Sequence, residues 1–377
     1  MQTCEKIPVL LTVRELHAGG IERDVAKLAT TLDSNRFEIH VAAYYPKGLR
    51  YDELKAAGIP VLPLPVGALF SRDTVRAATV LRGYIRQYKI KVLHAWDATA
   101  VICVPTARIC GVPVVISSTL GYRNIIDCAT VRLLRMTDCL VDGIVVNCEA
   151  IRRHLVDDEG VPSQRISICY NGVDTREFYP LSDNALDGRH RTGLTIGTVA
   201  VLRWEKGIDI LQKAFARVRN MVPQMKLVIV GSGPELAGLQ HNRDAFDLGE
   251  ACELIPATAD VARRLREMDI FVLPSYSEAF SNSMLEAMAC GCACIGTRVG
   301  GTPELLGDNE RGLLCRPGDA VDLAEKLACF VNDLPLRKKM GARAAAFAFQ
   351  RLSLETATRR MCDIYSKLLS RNYECRN

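Results

Sequence analysis

The sequence predicts an α/β protein built from two doubly wound parallel sheets. Three observations carry this. Short runs rich in Val and Ile alternate with longer segments of helical period. Those runs are apolar on both faces, as strands of a parallel sheet covered by helices must be. The length, 377 residues, is natural for two domains at roughly 100–200 residues each.

In the first series, residues 9–13, 39–43, 92–94, 114–117 and 143–146 read as strands, with helical patterns over 22–32 and 75–88. Such alternation implies right-handed βαβ units. Residues 180–192 hold Ser, Asp, Asn, Gly and Pro without a period and read as a linker. A second series follows, with strands at 195–199, 226–230, 270–273 and 293–296. Its helical patterns cover 208–219, 260–267, 282–289 and 322–330. The segment 354–370 carries Ala357, Met361, Ile364, Tyr365 and Leu368 at helical spacing and can pack on either domain. The domains are therefore placed at 1–178 and 179–353. Ligands of open α/β sheets bind beyond the carboxyl ends of the strands. Two such sheets face to face enclose an interdomain cleft, and functional motifs belong in strand-to-helix loops.

Composition narrows the function classes. Lys and Arg number 48 against 43 Asp and Glu, a net charge of +5. That is too weak and too dispersed for nucleic-acid binding. The 15 cysteines form no paired C-x-x-C zinc pattern. Cys290, Cys292 and Cys294 alternate, so along a strand they share one face and compete for one disulfide partner. Reduced thiols and a cytoplasmic location follow. The apolar run at 9–13 is too short for a signal peptide or a membrane span, and no run of about 18 apolar residues occurs. The expectation is a protein not integral to a membrane.

Four loops carry candidate chemistry. His17-Ala18-Gly19-Gly20 opens the first helix. The paired glycines Gly19 and Gly20 permit either close approach to an anion at a helix N-terminus or a tight turn with positive φ. Arg203 and Lys206 follow the first strand of the second series, where two cations can clamp a diphosphate. Gly231-Ser232-Gly233 begins like a dinucleotide fingerprint, but Leu236 stands where its third glycine belongs; a turn with one backbone contact to a nucleotide, at Gly231, fits better. Richest is residues 274–291, where Glu278 lies in a loop and Glu286 in the helix after it. Helical side chains lean toward the N-terminus, so both carboxylates can border one pocket at the helix mouth. Backbone N–H groups of Ser281, Asn282 and Ser283 can meet an anion there. Ser283 and Glu286 also match a Ser-x-x-Glu capping box, and spacing alone leaves capping and ligand binding both open.

The spacing Glu278–x7–Glu286 resembles the E-x7-E motif of retaining glycosyltransferases of family 4 (group 1), which have the GT-B fold. The likeness extends over most of the chain: Val145–Ala150, Tyr170–Asp174, Phe178–Pro180, Lys206-Gly207, Gly231–Pro234, Gly296–Glu304 and Gly312–Leu314 stand in the family's order. The resemblance implies two Rossmann-like domains, the second binding a nucleotide-diphosphate sugar. It implies retention at the anomeric carbon, with no metal and no cofactor. Arg203 and Lys206 then hold the diphosphate, Glu286 the ribose hydroxyls, and Glu278 the hydroxyls of the transferred sugar. Amides of Phe280, Ser281 and Asn282 contact phosphate or sugar, and Gly19 and Gly20 let the first domain close on the diphosphate. The final helix crosses back to the first domain. Two positions depart from the pattern. The family arginine often sits five residues before the lysine, where this chain has Val201, so Arg203 substitutes. A histidine common after the strand at 114–117 is absent, leaving Thr119, Tyr122 and Arg123, with His94 from another strand, as acceptor-side candidates.

The acceptor is then a sugar, glycolipid or lipid-linked sugar, in polysaccharide or glycolipid biosynthesis. Arg72, Arg76, Arg82, Arg86, Lys89 and Lys91, and the segment 125–140, suit peripheral contact with the inner face of a membrane or a solvated helix packed on its sheet. The alternatives are a GT-B epimerase or phosphorylase, and a degenerate non-catalytic binding protein.

Overall fold

The computed structural model describes residues 5–17, 19–67, 72–123, 127–181, 193–222 and 224–374. Residues 182–192 of the expected linker lie outside the described residues. The chain divides into two compact units, 1–172 with 354–377, and 173–353. The boundary expected at 178/179 falls at 172/173 instead, because Val173 joins the second unit through a bridge to Ser353.

The first unit holds seven parallel strands: β1 (Ile7–Glu15), β2 (Phe37–Tyr45), β3 (Val61–Pro63), β4 (Val92–Trp96), β5 (Val114–Thr119), β6 (Gly143–Val146) and β7 (Ile166–Ile168). Their order is β3-β2-β1-β4-β5-β6-β7. The register Thr12↔Ala95 sets the carboxyl ends of β1 and β4 side by side. Val9, Leu11, Val13 and Val41 pack with helix Gly20–Thr31 into one core.

Helix Leu354–Glu374 belongs to this unit, burying Met361, Tyr365 and Leu369 in that core. The Tyr365 ring meets Phe37 edge-on, with centroids 6.0 Å apart. Its hydroxyl lies 2.8 Å from His94 Nδ1. A phenol buried among apolar side chains needs such a partner, which explains why this helix docks in one register.

The second unit holds β8 (Thr195–Val199), β9 (Lys226–Val230), β10 (Cys252–Ile255), β11 (Ile270–Leu273), β12 (Ala293–Thr297) and β13 (Leu313–Cys315), in the order β10-β9-β8-β11-β12-β13. Helices Ile208–Val218 and Ala320–Asn332 cover it, with Phe215 and Phe330 fully buried. The alternating cysteines do not line one strand: Cys290 caps a helix and Cys294 alone of the three lies in β12. All three are buried free thiols. No described helix is long and apolar enough to cross a membrane.

Candidate functional site

In each sheet the strand order reverses once, between β1 and β4 and between β8 and β11. At such a switch point the loops on either side diverge and leave a crevice outside the strand ends. The second unit's crevice is flanked by residues 200–207, after β8, and 274–281, after β11. The sequence-predicted cations lie on the first loop and Glu278 on the second.

These loops are tied together. Lys206 Nζ donates to Glu278 Oε2 at 2.7 Å, and Ser275 Oγ donates to the same oxygen at 3.4 Å. The Tyr276 N–H donates to the Glu205 carbonyl at 2.8 Å. Gly207 has φ +60, and a Cβ there would stand 2.2 Å from the Pro274 carbonyl oxygen. Arg203 is paired only loosely, 3.8 Å from Glu205, and its side chain is 61% exposed. A cation held by one distant carboxylate and open to solvent is available for a second anion.

Behind Glu278 lies a support that the spacing did not reveal. Gly300 has φ +51, and its missing Cβ would stand 1.6 Å from the Glu278 carbonyl oxygen. The Gly301 N–H donates to the Ala279 carbonyl at 2.6 Å. The Gly300-Gly301 pair therefore sets the height of the Glu278 loop. The Thr297 hydroxyl donates to the Ser275 carbonyl at 2.6 Å, fixing the start of that loop.

Helix Asn282–Ala289 begins two residues earlier than a Ser283–Glu286 capping box requires. Ser281 is the N-cap, and its Oγ accepts the Met284 N–H at 3.2 Å. The box does not form, because its serine lies inside the first turn. Glu286 is thus in the second turn and only 3% exposed. Phe280 is buried at the helix mouth, and Asn282 is the first helical residue. Gly231 packs on backbone: a Cβ there would stand 1.9 Å from the Ala200 carbonyl oxygen. The Gly231-Ser232-Gly233 turn thereby braces the loop that carries Arg203, since Leu202 N–H donates to the Ser232 carbonyl at 3.0 Å.

In the first unit Gly19 is extended, at φ −70, so no positive-φ turn exists there. The place of its Cβ is taken by the Glu22 carboxylate, whose Oε2 would be 2.0 Å away. Gly20 opens the helix and is exposed, and Ala18 lies outside the described residues. His94 is fully buried, with Nδ1 on Tyr365 and Nε2 2.8 Å from Ser118 Oγ. Burial pushes its pKa down to about 3, so it is a neutral core histidine and lines no surface. Thr119 and Arg123 are buried too; the Arg123 fork grips Asp138 at 2.6 and 3.0 Å. A histidine from another element packs against this loop. His154 Nε2 accepts the Arg123 N–H at 3.3 Å, its ring meets Tyr122 edge-on, and its Nδ1 lies 2.6 Å from Asp158. It starts a π-helical turn 31 residues beyond Arg123, too far for any spacing argument to connect them.

Among the described residues, no group of three His, Cys, Asp or Glu side chains is placed to hold a metal ion. Helix Arg72–Gln87 buries Ala77, Leu81 and Ile85 and exposes Arg72, Arg76, Arg82 and Arg86. Helix Cys128–Asp138 exposes Arg132 and Arg135; residues 124–126 lie outside the described residues.

Residues 188–347 match the family model described as glycosyl transferases group 1, and residues 18–177 match glycosyltransferase family 4. One subunit of the human phosphatidylinositol N-acetylglucosaminyltransferase is 26% identical over 313 residues, covering 79% of this chain and 63% of that protein. The chain thus spans less than two thirds of that relative's length. The N-acetyl-alpha-D-glucosaminyl L-malate synthase of Bacillus anthracis is 29% identical over 211 residues, 55% of each chain. Among solved structures, Anabaena Alr3699/HepE in complex with UDP superposes with a TM-score of 0.83 at 19% identity, over 96% of this chain and 100% of that one. Sucrose-phosphate synthase from Thermosynechococcus elongatus gives 0.80 at 18% identity, over 97% and 100%. These likenesses show the fold.

Proposed function

The chain belongs to the group 1 glycosyltransferases of GT-B type, and on that premise we propose that it moves a sugar from a nucleotide-diphosphate sugar to an acceptor hydroxyl with retention at the anomeric carbon. The observation that carries this is the Lys206–Glu278 pair, which joins the two loops of the second unit's switch point. Arg203 and Lys206 hold the diphosphate and neutralise the charge that grows on it as the glycosidic bond breaks. Glu286, buried in the second turn of the helix after the Glu278 loop, takes the ribose hydroxyls. Glu278 Oε2 already accepts from Lys206 and Ser275. That suits a carboxylate holding hydroxyls of the transferred sugar rather than an attacking nucleophile.

A UDP-sugar is the first donor to try. Structures of the same fold hold UDP and UDP-glucose, and the human relative is named for N-acetylglucosamine transfer. The cations are the chain's own, so transfer proceeds without metal and survives chelation. The buried free thiols fit a reduced cytoplasm, and the exposed arginines of helix Arg72–Gln87 fit peripheral contact with anionic lipid during polysaccharide or glycolipid assembly. The test is release of nucleoside diphosphate from a panel of UDP-, GDP- and ADP-sugars in the presence of EDTA. Turnover of one donor is expected, falling roughly 10²–10³-fold in Lys206→Ala, as for other lost charge-stabilising groups. A folded protein that turns over none of them, or that changes the sugar without an acceptor, contradicts the proposal.

A further inference from the structure

Trp204 and Tyr276 stand on the two loops that flank the second unit's switch point. Their ring centroids lie 6.1 Å apart, with the planes 31° from parallel. The Tyr276 ring sits between two glycine turns. A Cβ at Gly207 would stand 3.5 Å from its Cε2, and one at Gly318 would stand 3.1 Å from its Cε1. Both glycines have positive φ, +60 and +74, so neither turn readily takes a side chain that would crowd the ring. The Tyr276 N–H donates to the Glu205 carbonyl at 2.8 Å, which ties its loop to the turn that carries Trp204.

Trp204 itself is 68% exposed, and its indole N–H has no hydrogen-bond partner among the described residues. A large apolar ring left open at a polar site, and steadied by a second aromatic, is placed to meet a ligand. Its surroundings narrow the kind of ligand. Beside Gly207, Asp209 pairs with Lys213 at 3.0 Å; beside Gly318, Asp319 pairs with Arg316 at 2.8 Å. These charges balance, whereas anionic lipid is drawn to unpaired cations. Paired side chains still offer donors and acceptors to hydroxyls. A pyranose ring fits both features, with an apolar C–H face to lay on the indole and hydroxyls around its edge. Position favours a sugar over a nucleobase. Trp204 lies between Arg203 and Lys206, and Tyr276 shares a loop with Glu278, whereas Glu286, assigned to the ribose, lies in the helix beyond.

We propose that Trp204, backed by Tyr276, is a carbohydrate-stacking platform on the second unit, which binds a neutral pyranose ring of a glycan outside the reacting centre. The choice of a glycan rests on the transferase reading above, and the platform is a contact beyond those that reading assigns.

The chain has two tryptophans, and Trp96 is 4% exposed against 68% for Trp204, so a surface ligand is read through Trp204 emission. The full chain is titrated with maltotriose, cellotriose, mannotriose and triacetylchitotriose, by fluorescence and by saturation-transfer NMR. Phosphatidylcholine vesicles, with and without phosphatidylglycerol, are titrated in the same way. The expected result is saturable binding of at least one trisaccharide with a change in Trp204 emission. Its Kd rises about tenfold in Trp204→Ala and less in Trp204→Phe, which keeps a ring. It rises about threefold in Tyr276→Ala. Both Trp204 variants keep the Tm of the unaltered chain. Binding of no trisaccharide, binding that Trp204→Ala leaves unchanged, or an emission change with vesicles and not with sugar overturns the proposal. Loss of binding together with loss of Tm in both Trp204 variants makes the residue structural and overturns it too. Binding of UDP, GDP and ADP to the unaltered chain separates the two readings. A nucleotide bound without any trisaccharide refutes the platform alone. A trisaccharide bound without any nucleotide supports the platform and refutes the transferase reading.

Discussion

At the scale of single residues, several groups of the site have neighbours that leave them one place to be. Gly300 is the sharpest case, since a methyl group there collides with the Glu278 carbonyl and the backbone is left-handed. Gly300→Ala is expected to lower stability by roughly 1–3 kcal/mol. It should also reduce transfer more than nucleotide binding, because it shifts Glu278 and leaves Glu286 in place; a melting curve beside a rate assay checks both. Asp97 gives a pH signature. Its carboxyl is raised to about 6 from the usual 3.8, so the folded chain binds its proton more tightly than the unfolded chain. The ionised form therefore opposes folding at neutral pH, and the penalty fades as pH falls through about 6 toward 3.8. Asp97→Asn should be the more stable protein at pH 7, by roughly 1–3 kcal/mol, with the gap closing near pH 4. Thermal melts across that range read it directly.

The residues themselves were legible unevenly. Lys206, Glu278 and Glu286 stood out because their residue types and spacing carry chemistry, and the structure sets the first two in contact. Asp97, His154 and Gly300 did not, because what singles them out is a backbone angle or a neighbour far along the chain. His94 drew notice as a histidine at a strand end, yet the phenol that neutralises its candidacy lies 271 residues away.

At the scale of elements, the strands that periodicity missed are β3, β7, β10 and β13, and these are the four sheet edges. An edge strand pairs on one side only and can be short or interrupted, as Pro63 in β3 shows, so it lacks the continuous apolar run that marks an inner strand. Helix Leu334–Arg351 was missed for a different reason. Apart from Met340, its buried face is made of Gly341, Ala344, Ala345 and Ala348, small residues that permit close packing and give little hydrophobic contrast. Its start was readable all the same: Asp333 caps Leu336, with a proline in the first turn. The final helix was readable from its apolar stripe, and the family resemblance put it on the first domain, where it lies; the stripe alone could not, since its seat includes the Tyr365–His94 bond. Tyr365→Phe leaves a buried imidazole nitrogen without its partner. It is expected to cost about 1–3 kcal/mol, loosening helix Leu354–Glu374 first, which hydrogen exchange along that helix would detect.

At the scale of the whole molecule, the chain builds the same device twice. Each unit is a parallel sheet whose order reverses once, and each reversal is flanked by polar side chains on the strand-to-helix connections or the first turn after them: Glu22 and Asp97 in the first, Arg203, Lys206 and Glu278 in the second. The alternation of strand and helix made this visible in the sequence, because a βαβ chain has few other ways to cover both faces of a sheet. The chain passes from the first unit into the second after Gly172 and returns at Leu354, so the first unit is complete only when the last helix has been made.

The second unit's switch point is expected to bind a nucleoside diphosphate. Isothermal titration of the full chain with UDP, GDP and ADP, repeated on Lys206→Ala and Glu286→Gln, tests it most directly. The expected result is saturable binding of one nucleotide, weakened about tenfold or more in each variant while both remain folded. Binding of none of the three, or binding that neither substitution weakens, would contradict the claim.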